Sequence, residues 1–182
     1  MSKPLLLFVG PSGSGKTTIA NILEEQYEYS QVQSYTTRCP RYEGEIGHIF
    51  ISDEEFNNLG ELAAYTVYNG NKYGTTVKQL EECNIYVIDI DGIKTLLKNY
   101  KTDRPICIVY FDTSVYTRIN RMITRHDSDT AIVSRLLEDE KYDWLQELNK
   151  IVYRLNIAAK VVSVDANKSQ LEVVDEILWY LN

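Results

Sequence analysis

Five apolar residues, Leu5–Val9, run straight into Gly10-Pro11-Ser12-Gly13-Ser14-Gly15-Lys16-Thr17, and a helix-forming stretch follows from Thr17 to Gln26. No other feature restricts the fold as much. The apolar run reads as a strand buried on both faces, and the glycines let the backbone curl between strand and helix. The octet matches G-x-x-x-x-G-K-[ST] in full, in the strand–turn–helix context its mechanism needs. Backbone N–H groups there converge on phosphate oxygens, and the helix N-terminus adds a positive dipole end. Lys16 supplies a point charge for the β- and γ-phosphates and Thr17 a hydroxyl for Mg²⁺. A Gly/Ser-rich surface turn is the plain alternative and the weaker one in this context.

The rest of the chain repeats the alternation. Ile85–Ile90, Ile106–Phe111 and Lys160–Val164 read as further strands. Helices are expected at Ile93–Asn99, Ser114–Thr124, Ala131–Leu155 and from Ser169 to about Leu181. The long one rests on apolar residues at Val133, Leu137, Leu145, Leu148, Val152 and Leu155. Strands separated by helices imply an α/β fold, a mainly parallel sheet covered on both faces. Residues 34–80 break the rhythm. They hold a short strand at Ile49–Ile51, a capping-box signal at Ser52 and Glu55 opening a helix Asp53–Leu59, and Asn69-Gly70 between Ala63–Tyr68 and Lys72–Thr76. Asn-Gly between such runs marks a type I′ hairpin, so this stretch reads as an inserted, β-rich subdomain.

The 182 residues carry a net charge of −7, a poor basis for non-specific nucleic-acid binding. No apolar run is long enough for a membrane span or a leader core. The three cysteines, Cys39, Cys83 and Cys107, are scattered and only two histidines accompany them, so neither a disulfide framework nor a zinc site is supported. A cytoplasmic protein with reduced thiols is the expectation.

In an acidic chain an anionic ligand needs local clusters of positive charge. Thr36-Thr37-Arg38-Cys39-Pro40-Arg41 sets two guanidiniums three residues apart around a proline, with His48 and Tyr73 nearby in sequence. Arg118, Arg121 and Arg125 fall at i, i+3 and i+7, hence on one helix face, where they repel unless an anion sits between them. His126-Asp127-Ser128-Asp129 breaks that helix and Arg135 follows on the next, in the manner of a lid; surface pairing with Asp127, Asp129 and Glu138 is the alternative. Asp89 and Asp91 sit two apart at an expected strand end, so both are expected on one face, one to order Mg²⁺ waters and one to accept from a base or ribose. A simple strand-end turn is the alternative there.

Taken in order, Gly10–Thr17, Ser34-Tyr35-Thr36-Thr37-Arg38-Cys39-Pro40-Arg41, Gly44-Glu45, Gly47-His48-Ile49-Phe50-Ile51, Asn69-Gly70-Asn71-Lys72-Tyr73-Gly74-Thr75 and Ile88-Asp89-Ile90-Asp91-Gly92 together resemble guanylate kinase, over nearly the whole chain. The resemblance implies a P-loop NTPase-type parallel sheet flanked by helices, with a core (about 1–33, 81–124 and 157–182), a monophosphate-binding insert (about 34–80) and a helical lid (about 125–156). It implies ATP-dependent phosphoryl transfer to GMP or dGMP with Mg²⁺, by a monomer or homodimer with no nucleic-acid or membrane partner. ATP would be held by Gly10, Ser12, Gly13, Ser14, Gly15, Lys16, Thr17 and Thr18. GMP would be held by Ser34, Arg38, Arg41, His48, Tyr73, Gly74, Thr75 and Asp91, and Mg²⁺ by Thr17 and Asp89. Lys16, Arg121, Arg125 and Arg135 would carry catalysis.

Two positions depart from the family in the acceptor region: His48 stands for a tyrosine, and Ala64 for the glutamate that reads the guanine N1 and N2 edge. Losing that charge-assisted bond, roughly 1.5–3 kcal/mol, weakens guanine preference by about 10- to 150-fold. Glu61 would substitute only if the backbone there were shifted. Val164-Asp165 stands where the family shows Asn-Asp near the adenine. The rivals are a monophosphate kinase for another base and a non-catalytic guanylate-kinase-like binding module; the intact Lys16, Thr17 and lid arginines weigh against the latter.

Overall fold

The computed structural model describes residues 3–40, 43–68 and 70–181. Its elements are β1 (Leu5–Val9), α1 (Lys16–Gln26), β2 (Ser34–Thr36), β3 (His48–Phe50), α2 (Asp53–Asn57), β4 (Leu62–Tyr68), β5 (Asn71–Thr76) and α3 (Val77–Glu82). There follow β6 (Ile85–Val87), α4 (Ile90–Asn99), β7 (Ile106–Asp112), α5 (Val115–Thr124), α6 (Asp129–Asp139), α7 (Trp144–Leu155), β8 (Ala159–Asp165) and α8 (Gln170–Leu181).

Every residue of β1 is buried, because alternate side chains enter opposite cores. Leu5, Leu7 and Val9 pack with Ile93, Leu96 and Leu97 of α4 and Leu148 and Ile151 of α7. Leu6 and Phe8 pack with Ile19, Ala20 and Leu23 of α1 and Val173, Val174 and Ile177 of α8. Each fully buried Leu, Ile, Val or Phe among them contributes about 1.5–3 kcal/mol. β1 therefore has helices on both faces, and the sheet, ordered β6-β1-β7-β8, pairs in parallel throughout. This is the expected α/β architecture. A second sheet, ordered β3-β2-β5-β4, is built wholly from residues 34–76 and is mostly antiparallel. Its β4–β5 hairpin turns at Gly70, at φ 74°; Asn69 lies outside the described residues.

Three expectations are corrected. The helix expected over Ala131–Leu155 is two helices. α6 ends at Asp139, and Asp143 restarts the chain by capping α7 through a bond from the Gln146 N–H. The apolar spacing carried a gap of seven residues between Leu137 and Leu145, and Val133 and Leu137 are exposed. The strand expected to reach Ile90 stops at Val87, and Asp89 caps α4 by accepting from the Gly92 N–H at 2.6 Å. Asp89 and Asp91 therefore do not share a strand face. β2 and α3 escaped the sequence reading, although Thr76 and Gln79 form a capping box that marks the start of α3.

Candidate active site

The Gly-rich loop is wedged between two neighbours. A side chain at Gly10 would meet the Phe111 carbonyl at 3.0 Å, and one at Gly13, at φ +78°, would meet the Arg118 carbonyl at 2.8 Å. Lys16 Nζ folds over the loop and donates to the Gly10 and Pro11 carbonyls at 2.7 and 2.8 Å and to Ser14 Oγ at 3.1 Å. Desolvation pushes its ammonium down to about 8, against a pull upward from Asp139. Thr17 and Thr18 are exposed at the start of α1 and line the cleft above.

That cleft, of about 390 Å³, is continuous from the loop to the second sheet. Gly10, Ser12, Gly13, Gly15, Lys16, Thr17 and Thr18 line one end, and Ser34, His48 and Tyr73 the other. The pairing of β2 with β3 sets Ser34 beside His48, and Ser34 Oγ lies 2.9 Å from His48 Nδ1. The His48 ring meets Tyr73 edge-on at 5.7 Å. Arg38 forms a two-pronged pair with Glu45 at 2.8 and 3.0 Å and lies over the Phe50 ring at 5.2 Å. Its buried Nε has no hydrogen-bond partner among the described residues. Arg38, Gly74 and Thr75 do not line the cleft; Thr75 is fully buried, and its hydroxyl donates to Gln79 Oε1 at 2.9 Å. Arg41 lies outside the described residues.

Arg118, Arg121 and Arg125, expected on one helix face, take three different sets of partners. Arg118 is buried against Asp139 and donates through Nε to the Ser12 carbonyl at 2.9 Å. Arg121 donates to the Ser14 and Ala166 carbonyls at 3.0 and 2.8 Å. Arg125 and Arg135 both line the cleft, and both are held by Asp127, at 2.5 and 2.6 Å. Of the three acids weighed as surface partners, Asp127 takes these arginines, while Glu138 pairs with Lys141. Asp89 and Asp91 line the far wall. Burial raises the Asp89 carboxyl, opposed by the Gly92 N–H and the Thr66 hydroxyl, and Asp91 pairs with Lys94 at 3.0 Å on an exposed turn. A second cavity, of about 460 Å³, opens on the other side of the loop between Gly13, Thr18, Asn120, Arg121, Lys168 and Gln170.

Comparison with known proteins agrees with this geometry. The family profile described as guanylate kinase matches residues 1–155. This chain belongs to the guanylate kinase family. It is 33% identical over 148 residues to a guanylate kinase of Geobacter metallireducens, covering 74% of this chain and 71% of that protein. It is 34% identical over 152 residues to one of Helicobacter pylori, covering 75% and 72%. The solved guanylate kinase of Anaplasma phagocytophilum superposes with a TM-score of 0.58 over 98% of this chain and 84% of that one; at 23% identity it speaks to the fold alone.

Membership makes the protein a nucleoside monophosphate kinase, a phosphotransferase. The positions read as departures from the family pattern are also placed. Ala64 is buried in the core opposite Thr75, at an irregularity in β4 between Leu62 and Ala64. Glu61 is exposed and does not line the cleft, so the irregularity does not bring its carboxylate in. Val164 is fully buried, and Asp165 accepts from Asn167 Nδ2 at 2.8 Å.

The cleft also holds residues that the sequence did not single out: Asp139, Tyr68, Tyr142 and Trp144. Asp139 Oδ2 accepts the Ser12 N–H at 2.9 Å, and Trp144 Nε1 donates to the Asp139 carbonyl at 3.2 Å. Their one sequence signal is weak: Asp139 follows Arg135 by one helical turn.

Proposed function

We propose that this guanylate kinase family member transfers the γ-phosphoryl group of ATP to GMP or dGMP, giving ADP and GDP or dGDP. One observation carries the reading: the Gly-rich loop and the Ser34, His48 and Tyr73 group line a single cleft, so a donor chain and an acceptor phosphate can meet inside it. The acceptor is already an anion, so in-line transfer asks little of a general base. Positioning and charge neutralisation do the rest. Lys16 and the loop N–H groups hold the donor tail; Arg38, which lies outside the cleft lining, takes the acceptor phosphate by turning from its pair with Glu45, and the family resemblance assigns Arg41 the same role. Residues 125–156 act as the lid, bringing Arg125 and Arg135 to the moving group, with Arg121 holding the loop from α5. The second cavity takes the donor base.

For Mg²⁺, the described residues contain no cluster of three or more His, Cys, Asp or Glu side chains able to hold a metal by themselves. That fits an ion which arrives on the triphosphate and keeps its waters. The exposed Thr17 hydroxyl would take one position, and Asp89, engaged as a helix cap, would act through water. The ion would neutralise phosphate charge. The cysteines among the described residues are free, which supports a cytoplasmic setting.

A second reading, a monophosphate kinase with relaxed or altered base choice, is favoured by Ala64. Both are tested by a coupled assay of ATP with GMP, dGMP, AMP, UMP, CMP and dTMP. The first reading expects GMP or dGMP to give the highest kcat/KM. A faster turnover of AMP or a pyrimidine nucleotide selects the second, and no turnover with any acceptor refutes both.

A further inference from the structure

A phosphate cradle presents backbone N–H groups to the nearest anion. Here the nearest is part of the chain. The Asp139 carboxylate, from the last residue of α6, accepts the Ser12 N–H at 2.9 Å. Arg118, from α5, binds the same carboxylate and donates to the Ser12 carbonyl at 2.9 Å. Both backbone groups of Ser12 are thus engaged by one ion pair, whose side chains are only 7% and 10% exposed. Trp144 holds the Asp139 carbonyl from the other side, so the end of α6 is pinned to the loop.

An acid buried this deeply persists only when it is paired and hydrogen-bonded, and this one has both an arginine and an N–H. Burial raises its pKa; the Ser12 N–H, Arg118 and Lys16 oppose the rise. One turn back on the same helix, Arg135 faces the cleft but is held, with Arg125, on Asp127. The lid is therefore docked on the loop while its arginines are occupied elsewhere.

We propose that the Arg118–Asp139 pair is a latch that holds the lid helix on the phosphate-binding loop before nucleotide arrives, and that the incoming triphosphate displaces the Asp139 carboxylate. The displaced acid frees the Ser12 N–H and lets α6 move, so Arg135 can leave Asp127 for the phosphate chain. The inference rests on the Gly-rich loop being the ATP site.

The test removes both charges together, in Arg118→Leu/Asp139→Ala, so that neither is left buried without a partner. Amide hydrogen exchange across residues 129–139 is followed in nucleotide-free protein, and ATP affinity is measured by titration. The latch expects α6 to exchange about tenfold faster or more than in wild type, because its local opening no longer breaks the pair. It also expects ATP to bind several-fold more tightly, because no internal anion competes. Asp139→Asn, which keeps the shape and an acceptor but removes the competing charge, is read by ATP affinity alone should the double variant fail to fold. Unchanged protection of α6, or ATP affinity that is equal or weaker, overturns the latch. Failure of wild-type protein to bind ATP counts against the proposed function instead, since the exchange measurement needs no nucleotide.

Discussion

Lys16 is held at the edge of its working range. Its ammonium, lowered to about 8 by desolvation, must be charged to meet a triphosphate, and bound phosphate raises it again. The lost form is the cation, so the effect appears on the alkaline side. In a pH series, kcat/KM for ATP is expected to fall as pH rises through about 8, while kcat at saturating ATP holds to higher pH. A kcat/KM flat to pH 10 would contradict this. The base pocket invites a second test. Ala64 offers no acceptor for the guanine 2-amino group, and Glu61 lies away from the cleft. GMP and IMP, which differ by that group, are expected to differ less than about tenfold in kcat/KM. A ratio of a hundred or more would mean that another side chain reads it. At this scale the sequence pointed to Lys16, Thr17 and Tyr73, which all line the cleft, because their motifs fix chemistry and spacing together; Arg38, from an equally sharp motif, lies outside that lining. The sequence did not show Asp139, because a carboxylate that meets a loop 127 positions away leaves no local pattern.

Among the elements, α6 depends on its N-terminus. Ser128 caps it by accepting the Ala131 N–H, and among its apolar residues only Ile132 is buried while Val133 and Leu137 are exposed, so packing holds it less firmly than the core helices. Ser128→Ala is expected to cost about 1 kcal/mol, read in urea unfolding or as faster exchange confined to residues 129–139. No change in either would show that tertiary contacts alone hold the helix. The elements were legible where local chemistry and burial agree, as in β1, whose unbroken apolar run needs cores on both faces. They were misread where the two part. Val133 and Leu137 kept a helical spacing without a core to face, and the acids after Val87 obeyed cap chemistry rather than strand alternation. β2 was missed because Ser34–Thr36 carries no alternation and is held by its partners β3 and β5.

For the whole molecule, several of the groups proposed to bind phosphate are paired with the chain's own acids. Asp139 meets the loop, Asp127 the arginines of α5 and α6, and Glu45 meets Arg38. On the proposed function, a protein of net charge −7 would thereby keep these basic groups ordered until a substrate phosphate takes the place of the internal carboxylate. The order of motifs along the chain led to the expectation of both a donor and an acceptor group. Their meeting in one cleft depends on how the second sheet is seated, which no local signal carries. The most direct measurement of that arrangement is the affinity of a dinucleotide that joins adenosine to guanosine through five phosphates, by calorimetric titration. If both anion sites face each other across the cleft, it binds about 10²–10⁴-fold more tightly than the better of ATP and GMP alone. An affinity no greater than that of either nucleotide would mean that the two sites do not share one path.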